Sequence, residues 1–160
     1  MGRRGRQDRC TPQRHCRDLA GAGEWRGGSG CDYEVDIFTP ATHSFRGEGL
    51  NYETGYGING GKSGASGNMH LRYQDQMTEE APKYGLQSTG PVRFVTQSPG
   101  GGGYGDPLHR APARVLRDWR DEIISNTVMR ETYGVVLSSD GRSVDNFKTS
   151  NLRLTMQESG

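Results

Sequence analysis

The sequence is poor in apolar side chains and contains no long hydrophobic run. Hydrophobic residues make up 31% of its 160 residues, and aromatic residues only 8%. No stretch reaches the roughly 18 consecutive apolar residues that indicate a membrane-spanning helix. No apolar signal-peptide core lies near the first methionine either. We therefore expect a protein that does not enter a membrane and that is located in the cytoplasm.

A dominant charge and a cysteine framework are also missing. The formal net charge is +1, which argues against a strongly basic nucleic-acid-binding protein. The three cysteines are an odd number in a chain without a secretion signal, so they predict reduced thiols. Cys10, His15 and Cys16 match no common spacing of zinc ligands. We therefore expect no metal site formed by this chain.

Glycine is what the sequence has in excess, at 25 residues, and the mean hydropathy is −0.85. A glycine brings no side chain to a core, so little apolar area per residue is removed from water on folding. This composition predicts a loop-rich chain that is only weakly stable by itself.

Arginine dominates residues 1–20, which contain six arginines and almost no apolar residues. Such a segment buries too little surface to offset the roughly 1–2 kcal/mol per residue that ordering a backbone costs. No aromatic residues interleave the arginines to stack on bases. We therefore predict a disordered arginine-rich tail over residues 1–20 rather than an RNA-binding arm.

Strand patterns begin after this segment. Residues 33–38, YEVDIF, alternate aromatic or β-branched residues with acids, which predicts a half-buried strand. Residues 43–46, 69–73 and 92–96 predict three more strands. Long glycine-containing segments separate them, and such loops either pack against another element or carry function.

Helical spacing replaces strand patterns after Pro107. A first helix is predicted over residues 112–124, a second is capped by Ser125 or Asn126, and a weak third spans residues 144–156. We predict an α+β fold with a disordered tail. A glycine-rich sheet or sandwich-like region occupies residues 21–107, and the short helices of the same domain occupy residues 108–160.

Two glycine-rich stretches partly match nucleotide-binding motifs. Gly100, Gly102 and Gly105 have the spacing GxGxxG, but Asp106 and Pro107 intervene before the next helix, and no parallel βαβ unit surrounds them. Residues 61–63, GKS, lack the first glycine of a phosphate-binding loop, because residue 56 is tyrosine. Neither stretch alone predicts a nucleotide site.

Three segments in order resemble a known family. Residues 100–137, GGGGYGDPLHRAPARVLRDWRDEIISNTVMRETYGVVL, are similar to the C-terminal end of hydantoinase B/oxoprolinase proteins, in which a glycine run and YGDP precede short helices. Residues 21–30, GAGEWRGGSG, and residues 57–67, GINGGKSGASG, are similar to two further family segments. His109 departs from the acidic residue that is common in the family.

The resemblance implies a C-terminal fragment or small subunit of an ATP-dependent hydantoinase or 5-oxoprolinase. Members of this family act with a hydantoinase A-type subunit or domain that binds ATP, and together they open cyclic amides such as 5-oxoproline. ATP and a divalent metal are therefore implied for the parent complex, and no cofactor for this chain alone. We expect a hetero-oligomer whose active site is incomplete in this chain. A noncatalytic β-rich assembly module, or part of a related acetone or acetophenone carboxylase subunit, remains an alternative.

Few residues are candidates for chemistry. His43, His70 and His109 belong to no HxH or HExxH pattern, and a lone histidine on a strand is more often structural than catalytic. His43 is the weak candidate catalytic residue, because we expect it at a junction between a strand and a loop.

Two loops are candidates for binding. Gly60, Gly61 and Lys62 predict a loop near the substrate or a phosphate. The second loop is predicted to be structural, with glycine conformations that let it border an active site or a subunit interface. It consists of Gly100, Gly101, Gly102, Gly103, Tyr104, Gly105 and Asp106.

Overall fold

The computed structural model describes residues 9–10 and 14–159. Within these residues the chain forms β-strands first and helices afterwards, which confirms the predicted α+β fold. The strands are β1 (Arg9–Cys10), β2 (Arg14–His15), β3 (Cys31–Ile37), β4 (Ala41–Arg46), β5 (Asn68–Tyr73), β6 (Thr78–Glu80), β7 (Tyr84–Thr89) and β8 (Val92–Gln97). The helices are a 3₁₀ turn (Pro107–His109), α1 (Pro112–Arg120), α2 (Asn126–Glu131) and α3 (Asn146–Glu158).

The larger sheet is antiparallel, with β3, β8, β5 and β6 side by side. Both β1 and β2 pair with the outer edge of β3. Strands β4 and β7 form a separate antiparallel ribbon. The ribbon covers one face of the sheet, and Phe45, Leu71, Ala81 and Val92 form the core between the two layers.

The sequence patterns found four of these strands and missed β6 and β7, as well as β1 and β2, which lie in the segment predicted to be disordered. Alternation of apolar and polar side chains is visible in β3, β4, β5 and β8. In contrast, β7 has the sequence YGLQST, in which Gly85 has a φ of 137° and most side chains are exposed. Its partner β4 determines its extended conformation, and a pattern within β7 alone could not indicate it.

A second core lies under the helices. It consists of Ala22, Val115, Ile124, Met129, Tyr133 and Val135. Because Ala22 belongs to the β region, the helices and the β region share this core. None of the helices in the described residues is long and apolar enough to cross a membrane.

Helix ends follow local capping chemistry. The first helix ends at Arg120, four residues earlier than predicted, because Glu122 adopts a φ of 57° and the N–H of Ile123 turns back to the carbonyl of Asp118. Ser125 caps α2 by accepting a hydrogen bond from the N–H of Val128 at 3.2 Å. Gly134 follows α2 with a φ of 61°, a conformation that glycine adopts readily.

The segment before Gly21 differs from the sequence prediction. Its residues 9–10 and 14–15 pair with β3, and Cys16 is buried with its N–H bonded to the carbonyl of Gly30 at 3.0 Å. Asp18 accepts a hydrogen bond from the N–H of Ser125 at 2.7 Å. Backbone pairing therefore orders residues 14–20 although they have few apolar side chains. The predicted disorder of residues 1–8 and 11–13 lies outside the described residues.

Candidate functional site

Three glycine-rich segments lie side by side between the sheet and the helices. These segments, residues 19–30, 55–67 and 98–105, are called the glycine scaffold below. Their backbones are joined by hydrogen bonds, such as Gly21 N–H to Gly101 O at 2.8 Å, Lys62 N–H to Ala22 O at 2.7 Å and Gly103 N–H to Lys62 O at 2.9 Å. Segments that are far apart in the chain are thereby held in a fixed register.

Close approach of these backbones explains the glycine run. A Cβ atom at position 102 would lie 2.0 Å from the carbonyl oxygen of Tyr56, and one at position 103 would lie 2.1 Å from that of Ala22. A side chain at either position would overlap the neighbouring backbone. Residues 100–103 therefore serve as a packed structural element, and their role at an interface remains a prediction.

The same hydrogen bonds occupy amide groups that a phosphate would need. The N–H groups of Gly61 and Lys62 donate to the carbonyls of Ile58 and Ala22, and that of Gly101 donates to Gly28. Phosphate-binding loops require such N–H groups to point at the ligand. The exposed Lys62 side chain could still contact an anion. The predicted proximity of Gly60, Gly61 and Lys62 to a substrate or phosphate thus rests on that side chain.

Asp106 ends the glycine scaffold and starts the helical region. Its carboxylate accepts a hydrogen bond from the N–H of Leu108 at 2.8 Å and caps the 3₁₀ turn. Gly105 precedes it with a φ of 75°. The aspartate thus fixes the start of the turn that follows the glycine run.

A row of large apolar side chains crosses the exposed face of the scaffold. Trp25 and Tyr104 form an antiparallel bridge with N–H to O distances of 3.0 and 2.8 Å, and Ile58 bridges Tyr104 in parallel. Paired residues of adjacent strands present their side chains on one face. The exposed fractions are 53% for Trp25, 59% for Ile58 and 50% for Tyr104. These three residues are called the apolar row below.

A buried ion cluster attaches α1 to the first scaffold segment. Nε and Nη2 of Arg110 both donate to Oδ2 of Asp118, at 3.1 and 2.8 Å, and Nη1 donates to the carbonyl of Glu24 at 2.9 Å. Nε of Arg26 lies 3.1 Å from the other oxygen of Asp118, at an angle unsuited to a hydrogen bond. Sequence reasoning did not single out this cluster, because its members come from separate segments.

His43 lies in the middle of β4 and not at the predicted junction with a loop. Its Nε2 is 2.9 Å from the hydroxyl of Thr89, and its ring meets the ring of Phe94 edge to face at 4.9 Å between centroids. It also lines an open cavity of about 460 Å³ together with Phe45 and Met69. Packing accounts for these contacts, and a catalytic role for His43 remains a prediction.

Cysteine and metal chemistry find little support in the part of the chain that the structure describes. Burial, followed by the nearby Asp32 carboxylate, raises the pKa of the Cys16 thiol to about 11, so this thiol is protonated at neutral pH. Cys31 begins β3 and lies 3.5 Å from the hydroxyl of Ser98. No group of three or more His, Cys, Asp or Glu side chains among the described residues is arranged to hold a metal ion. These residues therefore do not fit a divalent metal, and the metal that the family resemblance implies for the parent complex remains a prediction.

A surface cluster that the sequence did not indicate joins the ribbon to the following loop. Glu48 accepts hydrogen bonds from the hydroxyls of Tyr84 and Tyr52. These bonds, first that of Tyr84, lower the pKa of Glu48. The ammonium of Lys83 lies 3.3 Å from the centroid of the Tyr52 ring. The cluster neutralises its own charges, as is typical of a structural surface network.

Comparison with known proteins identifies relatives of this chain. The model of the family described as hydantoinase B/oxoprolinase matches residues 9–107. The B-type subunit of a D-/L-hydantoinase from Pseudomonas sp. (strain NS671) is 33% identical over 136 residues, which cover 82% of this chain and 22% of the relative. The beta subunit of the caprolactamase from Pseudomonas jessenii is 37% identical over 138 residues, which cover 78% of this chain and 22% of the relative.

Solved structures share the fold. The crystal structure of the ATP-dependent caprolactamase from Pseudomonas jessenii matches with a TM-score of 0.66 at 33% identity, over 89% of this chain and 25% of that chain. A nucleotide-free structure of acetone carboxylase matches with a TM-score of 0.73 at 19% identity, over 95% and 25%, respectively, which shows the fold alone. The chain thus spans a quarter or less of the length of these relatives. From its family match and its identity to the hydantoinase and caprolactamase relatives, this chain belongs to the hydantoinase B/oxoprolinase family.

Proposed function

We propose that this chain supplies the glycine-scaffold part of a B-type subunit in an ATP-dependent enzyme that opens cyclic amides. The family match over residues 9–107 carries the proposal. The hydantoinase and caprolactamase relatives support the substrate class, because hydantoins and caprolactam are both cyclic amides. Both relatives therefore favour a ring amide over other substrates.

The geometry supports a structural contribution rather than a complete catalytic centre. Opening an amide requires a positioned base or a metal-bound water together with groups that stabilise the developing oxyanion. The scaffold amides of Gly61, Gly101 and Gly103 already donate to carbonyls of this chain. In this proposal ATP and a divalent metal are held by the parent complex, with a hydantoinase A-type subunit or domain holding the ATP. This chain provides a rigid frame against which those parts assemble.

Reconstitution tests the proposal. The purified chain is mixed with an ATP-binding hydantoinase A-type subunit and with the part of the Pseudomonas jessenii caprolactamase beta subunit that lies outside its match to this chain. Product formation from 5-oxoproline and caprolactam is then measured with and without ATP. We expect ATP-dependent ring opening only when all components are present, and none from the chain alone.

Two outcomes would contradict this proposal. Turnover by the chain alone would show that it contains a complete active site. Assembly of all components without turnover on either amide would instead favour the noncatalytic assembly module. A parallel incubation with acetone, bicarbonate and ATP tests the carboxylase alternative, for which the acetone carboxylase match supports only the fold.

A further inference from the structure

The apolar row brings three large exposed hydrophobic side chains together on the described part of the chain. Trp25, Ile58 and Tyr104 are each at least half exposed, and Trp25 and Ile58 are each bridged to Tyr104. Tyr56, two residues before Ile58, is 71% exposed. Single exposed apolar residues are normal on a protein surface, whereas a contiguous set marks an interaction site.

The backbone beneath the row makes it suited to binding. Each member lies on a different scaffold segment, and backbone hydrogen bonds fix the three segments to one another. The exposed side chains therefore project from a frame that has already lost its conformational freedom, which lowers the entropic cost of association. Tryptophan and tyrosine are also the residues that contribute most often to the energetic centres of interfaces.

We propose that the apolar row is the docking surface for the remainder of a hydantoinase B-type polypeptide. This proposal rests on the proposed function. It names the polypeptide that binds the glycine scaffold in the assembled enzyme. The chain spans 22% of each of the hydantoinase and caprolactamase relatives, so most of the length of a B-type polypeptide is available to cover this surface.

Arg114 indicates a further property of the polypeptide that docks on the apolar row. Its guanidinium carbon lies 4.7 Å from the centroid of the Trp25 ring, and the side chain is exposed. Among the described residues no carboxylate forms a salt bridge with it. The docking segment is therefore expected to place an acidic side chain beside its apolar contacts, opposite Arg114.

A binding experiment with matched variants tests the proposal. The probe is the part of the Pseudomonas jessenii caprolactamase beta subunit outside its match to this chain, produced as a separate polypeptide and shown to be folded by circular dichroism. Its affinity for the full chain is measured by titration calorimetry. The test variant carries Trp25→Ser, Ile58→Thr and Tyr104→Ser. The control variant carries Met77→Ser, Phe147→Ser and Leu154→Ser, which removes three other exposed apolar side chains.

The expected result is binding by the unaltered chain and the control variant, with Kd raised about 100-fold or more in the test variant. An Arg114→Glu variant is expected to weaken binding more at low salt than at high salt. The proposal is overturned if the unaltered chain does not bind the folded probe. It is also overturned if the test variant binds the probe as tightly as the control variant does. Because the readout is binding, loss of turnover in the reconstitution would count against the proposed function without affecting this result.

Discussion

Arg110 and Asp118 form a buried ion pair in which two guanidinium nitrogens share one carboxylate oxygen, at 3.1 and 2.8 Å. The side chains are 8% and 7% exposed. The pair joins the residue after the 3₁₀ turn to the last turn of α1, while Arg26 and the Glu24 carbonyl tie both to the first scaffold segment. One carboxylate therefore connects three separate parts of the chain.

Removing that carboxylate should be strongly destabilising. Asp118→Asn leaves the Arg110 guanidinium buried without its counter-charge, and breaking a buried pair costs about 3–5 kcal/mol. Urea unfolding followed by circular dichroism measures the change. Glu122→Gln is the control, because the Arg17–Glu122 pair is 52% and 80% exposed. Such pairs contribute about 0–1 kcal/mol. Equal effects of the two substitutions would contradict the role assigned to Asp118.

Glycines of the run at residues 100–103 should differ sharply in how well they tolerate substitution by alanine. In Gly102→Ala the new methyl group would lie 2.0 Å from the Tyr56 carbonyl oxygen, whereas in Gly101→Ala its nearest neighbour is 3.1 Å away. We expect Gly102→Ala to cost about 1–3 kcal/mol or more through overpacking and Gly101→Ala to cost clearly less. Gly28→Ala serves as the control, since nothing lies within 4 Å of its added Cβ. The melting temperatures of the three variants are measured by thermal unfolding. A melting temperature of Gly102→Ala equal to that of Gly28→Ala would refute the close-packed arrangement.

Alkaline pH should weaken the fold through Cys16. The folded-state pKa of this thiol is raised from 9.0 to about 11, chiefly by burial. Folding therefore favours the protonated thiol, and this contribution is complete below pH 9 and is lost as the pH rises toward 11. The free energy of unfolding, measured from pH 8 to 11, should fall more steeply for the unaltered chain than for Cys16→Ala. Parallel curves for the two proteins would rule out this coupling.

Substitution of His43 should affect stability more than turnover. His43→Ala removes the contact with Thr89 and the edge-to-face packing on Phe94, and the loss of such a hydrogen bond and aromatic contact costs about 1–2 kcal/mol. We expect the unfolding midpoint to fall while kcat of the reconstituted mixture stays within about twofold, because packing accounts for the observed contacts. A tenfold loss of kcat without loss of stability would instead support the catalytic role that the sequence suggested.

Sequence patterns predicted elements whose signals are local. The alternation in β3 and the serine cap of α2 each depend on residues a few positions apart, and the structure has them close to where they were expected. The pattern for β3 missed its first two residues, Cys31 and Asp32. Boundaries of this kind depend on pairing partners as well as on the strand itself.

Contacts between segments that are far apart in the sequence could not be predicted from such local patterns. The scaffold depends on contacts such as that of Gly103 with Ala22, and the order in residues 14–20 depends on β3 and on Ser125. The glycine-rich loops were expected to pack against another element or to carry function, but their sequences did not identify the partners. Likewise, Arg26 lies in one family-like segment and Arg110 and Asp118 lie in another, and no pattern within either segment indicates that the three side chains meet.

The glycine scaffold also has a thermal consequence. Its segments are joined mainly by peptide groups, so melting it exposes amides to water and comparatively little hydrocarbon. Hydration of apolar surface raises the heat capacity of the unfolded chain, whereas hydration of polar surface lowers it. Calorimetry should therefore give this protein a heat-capacity increment below the about 12–15 cal/mol/K per residue of ordinary domains. Its stability curve would be correspondingly flat across temperature.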